Sequence, residues 1–388
     1  MKTSSVAIVG AGLSGLYAAW LLERRGMRDY VLLEARSAVG GRIVSVPAHD
    51  VSATETAAIE AHTVDRVDLG PTWFWPEYQR ELDGLINDLG LERFEQFETG
   101  DMIVERSPHQ PPTRARGYVN SPASMRLPGG MGALTDALLN ALNPTQLVTG
   151  QAVRRVRIVN AHVELDAQDA HGRITTWRAD HVLLAVPPRL AAHSMAFEPA
   201  LPQDLDRQWR ATPTWMAPNA KYVAVYDAPF WREHGLSGEA RSTVGPLGEV
   251  HDASMPGGSA ALFGFLGLPG RVRSNIPDAV LRAHCRAQLV RLFGPQAQTP
   301  RVEFLKDWAQ DPFTATAGDL DALAHHVAAP SATPTSGPWR ERLIGIASEW
   351  SPQFPGYLAG AIESAGLAIH ARFDSPRAHP LSPGHGQA

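Results

Sequence analysis

A glycine-rich turn between two short apolar runs constrains this chain more than any other feature. The turn, Gly10-Ala-Gly-Leu-Ser-Gly15, follows the run Val6–Val9 and precedes a helical stretch at 16–25, and a second run, Tyr30–Leu33, ends at Glu34. Short apolar runs bounded by glycine are typical of buried parallel strands. The sequence therefore predicts a strand–turn–helix–strand unit within an α/β fold that contains a parallel sheet.

The spacing of the glycines predicts that this unit binds a dinucleotide. The first glycine permits a tight turn, the second lets the backbone approach a pyrophosphate, and the third lets the helix pack closely on the strand. The amide groups and the dipole at the helix start bind phosphate charge. Glu34 follows the glycines by about 20 residues, where a carboxylate accepts hydrogens from ribose hydroxyls and disfavours the 2′-phosphate of NADP. The motif alone does not distinguish FAD from NAD.

Composition and charge limit the class of protein. The 388 residues are 44% hydrophobic and carry a formal net charge of −5, so a large core is expected and a nucleic-acid-binding face is not. No apolar run approaches the roughly 20 residues that cross a bilayer. The single cysteine, Cys285, is expected in the core on a helix at 276–293, and the adjacent His325-His326 are expected at the surface. We therefore predict a soluble, cytoplasmic protein with no membrane span, no metal site and no nucleic-acid partner.

The stretch after the second strand distinguishes between the two dinucleotides. Glu34-Ala-Arg-Ser-Ala-Val-Gly-Gly-Arg-Ile43 resembles the flavin-containing amine oxidase family, which includes polyamine oxidases and L-amino acid oxidases. Further segments resemble the family in the same order, at 67–76, in a Pro-Gly-Gly-Met-Gly turn at 128–132, at 149–158 and at 181–188. Because several local patterns agree on one fold, the resemblance implies FAD as the cofactor.

The glycine fingerprint and the resemblance together imply the residues around FAD. In the family the paired glycines and the arginine line the pyrophosphate, a valine contacts the adenine, and a glutamate near the C-terminal end contacts the ribityl–pyrophosphate part. The expected cofactor-binding residues are Gly10, Ala11, Gly12, Leu13, Ser14, Gly15, Glu34, Ala35, Arg36, Gly40, Gly41, Arg42, Gly70, Pro71, Thr72, Val153, Glu349 and Tyr357. No cysteine stands in the segment that carries the flavin link in some relatives, so FAD is expected to be noncovalent.

Two residues are expected to act in catalysis. Lys221 precedes a Pro-Phe-Trp turn, like the family lysine that holds a water near flavin N5 and assists reoxidation, and lysine occurs elsewhere only at positions 2 and 306. Lysine can lose its proton where arginine cannot. Tyr357 falls where the family places one wall of an aromatic cage, but no tyrosine stands at the position of the second wall. The aromatic residues considered for that wall and for the substrate pocket are Trp73, Trp75, Trp215, Phe313 and Trp350.

The resemblance implies oxidation of an amine C–N bond in a small molecule. A hydride would pass from the α-carbon to flavin N5, the imine would hydrolyse to a carbonyl compound and ammonia or an amine, and O2 would be reduced to H2O2. Three alternatives remain open: an L-amino acid oxidase, which needs an arginine for the substrate carboxylate; a C–C desaturase similar to protoporphyrinogen oxidase; and a flavin-fold binding protein without turnover.

The family's domain organisation is also implied. Residues 1–78, 120–190 and 340–374 are expected to form a discontinuous Rossmann-like FAD-binding domain, and 79–119 and 191–339 an α+β substrate domain with a mixed or antiparallel sheet. Residues 375–388 are expected to be a tail. The stretch 77–127 is too short for the helical subdomain that covers the substrate in large relatives, so a reduced lid, an open cavity or coverage by a partner in a homo-oligomer is expected.

Overall fold

A computed structural model describes residues 1–49, 65–320 and 327–374 of the protein. The expected tail at 375–388 and the pair His325-His326 lie outside the described residues. The strands are β1 (Lys2–Thr3), β2 (Val6–Val9), β3 (Tyr30–Leu33), β4 (Ser45–Pro47), β5 (Arg66–Asp68), β6 (Phe94–Glu95), β7 (Asp101–Glu105), β8 (Thr113–Arg116), β9 (Met125–Arg126), β10 (Leu147–Val148), β11 (Ala152–Val159), β12 (His162–Gln168), β13 (Ile174–Ala179), β14 (His181–Leu184), β15 (Ala196–Glu198), β16 (Ala220–Tyr226), β17 (Leu236–Ser242), β18 (Leu247–Asp252), β19 (Ala260–Leu266), β20 (Val302–Asp307) and β21 (Leu343–Gly345).

The α-helices connect these strands or cover the sheets. They are α1 (Leu13–Arg24), α2 (Arg80–Asp88), α3 (Gly132–Ala141), α4 (Pro188–Ser194), α5 (Gln203–Ala211), α6 (Phe230–Glu233), α7 (Gly270–Arg273), α8 (Asp278–Phe293) and α9 (Leu358–Phe373). Among the described helices, none combines the length and the apolar character that a bilayer span requires.

A five-stranded parallel sheet of order β10-β3-β2-β14-β21 confirms the predicted fold class. Val6 and Ile8 of β2 face an apolar cluster that includes helices α1, α2, α3 and α9. Ala7 and Val9 face a second cluster, formed largely with a mixed sheet of order β1-β13-β12-β11-β15. The strand is therefore buried on both faces, as a continuous apolar run predicts.

A third, seven-stranded sheet of order β20-β16-β19-β18-β17-β7-β8 is antiparallel except between β17 and β7. Helix α8 packs on this sheet through Leu281, Cys285 and Leu289. The helix begins two residues after the predicted start because Pro277 is its N-cap. Cys285 is fully buried, and burial raises the pKa of its thiol to about 12. The prediction of Cys285 as a core residue is thus confirmed.

Core packing bears on the predicted domain boundaries, which remain predictions. Helix α2 begins at Arg80, on the substrate side of the predicted boundary, yet Leu82, Leu85 and Ile86 pack in one cluster with α1 and α9. Trp209 of α5 likewise packs in the cluster between the two five-stranded sheets. This packing favours grouping both helices with the FAD-binding parts. Residues 79–124, all of which the structure describes, contain only the one helix α2.

Candidate active site

A cavity of about 370 Å³ extends from the glycine-rich turn to the seven-stranded sheet. One end is formed by the carboxyl ends of β2 and β3 with the start of α1, where parallel sheets commonly bind ligands. The other end is formed by β16, β19 and the loop before α9. The predicted fingerprint and the predicted catalytic residues therefore line the same cavity.

The glycine-rich turn packs as predicted. Gly10 has φ +103°, and a Cβ there would lie 2.8 Å from the carbonyl oxygen of Ala185. A Cβ on Gly15 would collide with the carbonyl oxygen of Gly10, so the helix approaches the strand this closely only with glycine. Gly10, Gly12, Leu13 and Ser14 line the cavity, whereas Ala11 and Gly15 lie behind them.

Glu34 is buried at the end of β3, beside this turn. Its Oε2 accepts a hydrogen bond from the amide of Ala11 (2.7 Å), and its Oε1 accepts one from the amide of Arg36 (2.8 Å). These two bonds fix the orientation of the carboxylate at the cavity wall and leave lone pairs on both oxygens. Ala35 and Arg36 line the cavity beside it, and so does Val153 of β11.

Arg42 forms the middle of the cavity wall with Gly40 and Gly41. Its guanidinium makes a bidentate ion pair with Glu349, with Nη1–Oε1 at 2.6 Å and Nη2–Oε2 at 3.1 Å. Glu349 is buried and does not line the cavity. In this structure Glu349 is joined to the cavity wall through Arg42, so its direct contact with the cofactor remains a prediction.

Lys221 stands on β16, between β19 and β20 of the seven-stranded sheet, and is only 1% exposed. Its Nζ donates to the carbonyl oxygen of Gly70 (3.1 Å) and to Oγ1 of Thr72 (2.6 Å), and it lies 3.9 Å from the ring centroid of Phe263. Gly70, Pro71 and Thr72 line the cavity together with Lys221. The two predicted groups, the 70–72 segment and the lysine, are thus in direct contact.

Burial is the main cause of an unusual pKa for Lys221. Loss of hydration lowers the pKa of this ammonium to about 7, the nearby carboxylate of Asp68 opposes that change, and Arg126 adds to it. Asp68 is itself buried, and loss of hydration raises its pKa although its Oδ1 accepts bonds from Ser45 (2.5 Å) and Met131 (2.9 Å). Lys221 can therefore exchange a proton near neutral pH.

Aromatic side chains cover the cavity around Lys221. Trp73, Trp75 and Phe265 line it on one side, and Trp215 and Tyr357 line it on another. The rings of Trp215 and Tyr357 are 5.8 Å apart between centroids, with an angle of 38° between their planes. Stacking needs roughly 3.5 Å per gap, so no amine fits between these rings. They form one continuous wall rather than two opposite walls of a cage.

Two predicted pocket residues lie elsewhere. Phe313 lines the cavity, but its ring lies against the guanidinium of Arg36, 5.3 Å from centroid to Cζ, at the Glu34 end. Trp350 does not line the cavity, because it is buried against Trp209 (5.2 Å between ring centroids) and against Gly345. Neither residue is placed to form the wall opposite Tyr357. The predictions for Trp73, Trp75 and Trp215 as lining residues agree with their positions.

Some residues near the site received no role from the sequence. Gln79 is buried and lines the cavity, and its Oε1 accepts a hydrogen bond from the amide of Trp75 (3.2 Å). Asp68 and Asp311 belong to segments that match the family, but only tertiary packing brings Asp68 near Lys221 and Asp311 onto Arg36. The Pro-Gly-Gly-Met-Gly turn packs against Ser45 and Asp68 and does not line the cavity.

The residues present fit an elongated anionic dinucleotide. The N-cap of α1, Gly12, makes no side-chain capping bond, so the first amides of the helix remain available to a phosphate. Arg36 and Arg42 line the cavity as cations, and the buried Glu34 supplies acceptors at the far end. Within the described residues, no group of three or more His, Cys, Asp or Glu side chains is arranged to hold a metal ion.

Comparisons with known proteins agree with this geometry. A family model described as "Flavin containing amine oxidoreductase" matches residues 120–368, and a model described as "NAD(P)-binding Rossmann-like domain" matches residues 8–89. A probable flavin-containing monoamine oxidase A from Dictyostelium discoideum is 27% identical over 251 residues, which are 62% of this chain and 51% of that protein. The chain spans about half the length of the first curated relatives that it matches.

Solved structures show the same fold. A putrescine oxidase bound to putrescine superposes with a TM-score of 0.76 at 21% identity, covering 96% of this chain and 99% of the other. Cyclohexylamine oxidase from Brevibacterium oxydans superposes with a TM-score of 0.75 at 19% identity, covering 95% and 98%. At these identities the likeness extends to the fold alone.

Proposed function

Because the chain belongs to the family of flavin-containing amine oxidoreductases, we propose that it oxidises the C–N bond of a small amine. Its cofactor is FAD. When bound, FAD accepts a hydride from the carbon next to the amine nitrogen and passes the electrons to O2, giving an imine and H2O2. The imine then hydrolyses in water to a carbonyl compound and ammonia or an amine.

The residues of the Glu34 end are proposed to hold the adenosine half of FAD. The carboxylate of Glu34 would accept the ribose hydroxyl hydrogens, and Val153, which lines the cavity, would contact the adenine. The amides that start α1 and the guanidinium of Arg42 would hold the pyrophosphate. The isoalloxazine would then extend toward Lys221 and Tyr357. No cysteine lines this cavity in the described residues, which supports noncovalent binding.

One observation carries the proposal: a buried lysine and an aromatic wall occupy the end of the cavity opposite the dinucleotide fingerprint. An apolar, poorly hydrated surface disfavours an ammonium ion, so the rings around Lys221 lower the pKa of a bound amine and favour its neutral form. A neutral amine has the free lone pair that hydride loss from the neighbouring carbon requires. Lys221, with a pKa of about 7, can hold and move a proton at its Nζ.

The charges of the lining favour a monoamine with an apolar body. Glu34 is the only carboxylate among the described residues that line the cavity, and backbone amides hold it at the fingerprint end. The second ammonium of a diamine would lack a partner near Lys221. Of the described lining arginines, Arg42 pairs with Glu349 and Arg36 with Asp311, while Arg154 is exposed beside Val153. An amino acid carboxylate would therefore find no unpaired arginine near Lys221.

An anaerobic substrate panel tests this proposal. The protein with FAD bound is mixed with benzylamine, cyclohexylamine, putrescine and L-tryptophan, and the loss of flavin absorbance is followed. Benzylamine and cyclohexylamine are expected to bleach the flavin, and admitting air should restore the colour with release of H2O2. Bleaching by L-tryptophan alone would replace the proposal by amino acid oxidation. Absence of bleaching with every amine and amino acid would contradict it and favour desaturation or binding without turnover.

The proposed role of Lys221 in reoxidation has a separate test. Reduced wild-type protein and K221M are mixed with O2, and the return of flavin absorbance is timed. Because proton transfer by a positioned side chain contributes about 100-fold or more, reoxidation of K221M is expected to be slower by that order. K2M, which removes an exposed lysine remote from the cavity, is the matched control. Equal reoxidation rates in K221M and wild type would remove the role.

A further inference from the structure

A segment of the chain crosses from the seven-stranded sheet to the fingerprint end of the cavity. Residues 308–314 leave the end of β20, and Pro312, Phe313 and Thr314 line the cavity near Glu34 and Arg36. The start of the segment is fixed to the wall, because Nε1 of Trp308 donates to the carbonyl oxygen of Leu69 (3.1 Å). We call these residues the 308–314 segment.

The carboxylate of Asp311 joins this segment to two cations on opposite sides. Its Oδ1 accepts from Nη2 of Arg36 (2.5 Å), and its Oδ2 accepts from Nζ of Lys306 (2.8 Å). The Oδ1 atom also accepts from the amide of Phe313 (3.0 Å), which fixes the turn that follows. The side chain of Asp311 is 9% exposed, whereas those of Arg36 and Lys306 are 24% and 28% exposed. The carboxylate is therefore buried beneath the two cations, and salt screens these pairs less than it screens fully exposed ones.

Arg36 holds the end of the same segment through further contacts. Its Nη2 donates to Oγ1 of Thr314 (3.1 Å), and its guanidinium lies over the ring of Phe313. Arg36 follows β3 and Glu34, whereas Asp311, Phe313 and Thr314 follow β20 of the other sheet. These contacts therefore tie the two sides of the cavity together at one end.

We propose that Asp311 is a positioning residue whose ion pair with Arg36 latches the 308–314 segment over the adenosine end of the cavity and thereby slows the release of FAD. The inference rests on the proposed assignment of that end to adenosine. Phe313 and Thr314 line this end of the cavity, so a nucleotide that leaves between them and Arg36 would have to displace the segment and break the bonds from Arg36. Asp311 is central to these bonds because its carboxylate accepts from Arg36 and from the amide of Phe313 at the same time. It also pairs with Lys306 at the end of β20.

Replacement of Asp311 by asparagine tests the latch. FAD release is followed by the rise of flavin fluorescence after dilution, independently of any turnover. Hydrogen bonds to charged groups are the strong ones, so D311N is expected to release FAD about 10 to 100 times faster than wild type. The matched control is D136N, which removes the ion pair of Asp136 with Arg66 (2.7 Å) away from the cavity. Its release rate is expected to equal that of wild type.

Amide hydrogen exchange on the FAD-free protein gives a second measurement. The amides of Thr314 and Ala315 donate to the backbone carbonyl oxygen of Asp311, and their exchange is expected to be faster in D311N and unchanged in D136N. Wild-type release kinetics in folded D311N would overturn the latch. If D311N does not fold, D311S, which also removes the carboxylate that Arg36 binds, replaces it, and wild-type release from folded D311S would overturn the latch. A wild-type protein that binds no FAD would instead refute the proposed function.

Discussion

At the scale of single residues, burial of the charge on Lys221 costs free energy. The ammonium is 1% exposed and has two hydrogen-bond acceptors, Gly70 and Thr72, in place of its water shell. Its pKa in the folded protein is about 7, against an ordinary value of 10.5. The unfolded chain therefore binds more protons than the folded one between these two values.

The sign of this shift predicts how stability depends on pH. The free energy of unfolding should rise with pH between about 7 and 10.5, by up to about 1.4 kcal/mol per pH unit from this group alone. The destabilisation by Lys221 is fully present below pH 7 and is gone above pH 10.5. K221M lacks this titration, so its stability relative to wild type is expected to be highest near pH 6 and to fall as the pH rises.

Chemical unfolding of the FAD-free proteins at pH 6, 8 and 10 measures this difference. K2M is the control, since it removes a lysine at the surface and should keep the pH dependence of wild type. A difference between K221M and wild type that does not vary over this range would show that Lys221 has no lowered pKa in the folded state.

Gln79 offers a second prediction at this scale, because it is buried and lines the cavity. In Q79E one carboxylate oxygen can still accept the amide of Trp75, and the other brings a negative charge into the cavity. A charged hydrogen bond to a distal ammonium contributes about 1.5–3 kcal/mol, so kcat/KM for putrescine relative to benzylamine is expected to rise about 10- to 100-fold.

Q79M separates the effect of charge from that of shape, because methionine has a similar length and no charge. Its preference between putrescine and benzylamine is expected to stay that of wild type. If Q79E and Q79M change this ratio equally, Gln79 does not face the distal end of the substrate.

At the scale of elements, local sequence patterns predict those helices and strands whose conformation depends on neighbouring residues. The βαβ unit and α8 appear where strand, helix and turn signals place them, because glycine, proline and apolar periodicity act within a few neighbouring residues. β11 begins at Ala152, inside the 149–158 segment that resembles the family, because Gly150 has φ +67°. Such a shift of a boundary leaves the position of Val153 in the cavity unchanged.

The aromatic wall could not be predicted in the same way. The sequence offers five aromatic candidates for this wall. Which of these rings contact one another depends on loops that lead to different parts of the fold. Trp350 is one of these candidates, yet Trp209, far away in sequence, packs against it in the core. Trp215 meets Tyr357 because the loop before β16 packs against the loop before α9. Burial of a large ring in the core or at a cavity is decided by this tertiary packing.

Close packing of the loop before α9 predicts that a larger residue at Gly356 destabilises the protein. Gly356 has φ +86°, and a Cβ there would collide with the Cβ of Trp215. G356A must strain the backbone and displace Trp215, at an expected cost of about 2 to 5 kcal/mol in the free energy of unfolding. Because Trp215 also lines the cavity, the affinity for FAD is expected to fall as well.

The same substitution ten residues further on is the matched control. Gly366 lies within α9, and a Cβ there would meet no atom within 4 Å. G366A is therefore expected to stabilise the protein by about 0.5–1 kcal/mol, since alanine is the better helix former. Denaturant unfolding of the two variants compares them directly. Similar stabilities for G356A and G366A would contradict the close packing of Gly356 on Trp215.

At the scale of the whole molecule, the cavity lies between sheets that are otherwise built from separate stretches of chain. The fingerprint end belongs to the parallel sheet, and Lys221 belongs to the seven-stranded sheet. Sequence motifs predict each end of the cavity separately, because the glycine-rich turn and the segment around Lys221 each resemble the family. How the two sides face each other could not be predicted, because it rests on long-range pairs such as Arg36–Asp311 and Arg42–Glu349.

This arrangement predicts that FAD stabilises the molecule more than its adenosine half does. A ligand that binds only the folded state at 100 times its Kd adds about 2.7 kcal/mol to the free energy of unfolding. FAD, which would reach both sides of the cavity, is expected to raise the thermal midpoint of the FAD-free protein. ADP at the same concentration should raise it less, because it fills only the fingerprint end.

A 2′-phosphorylated ADP serves as the control, because Glu34 should repel the added phosphate and prevent stabilisation. Differential scanning fluorimetry with the three ligands makes the comparison. Equal shifts for FAD and ADP would mean that the flavin half adds no contacts near Lys221 and Tyr357. A shift with the 2′-phosphorylated ligand as large as that with ADP would mean that Glu34 does not face the ribose. The midpoint order FAD, ADP, 2′-phospho-ADP would place the cofactor along the cavity in the direction proposed, with its adenosine at Glu34.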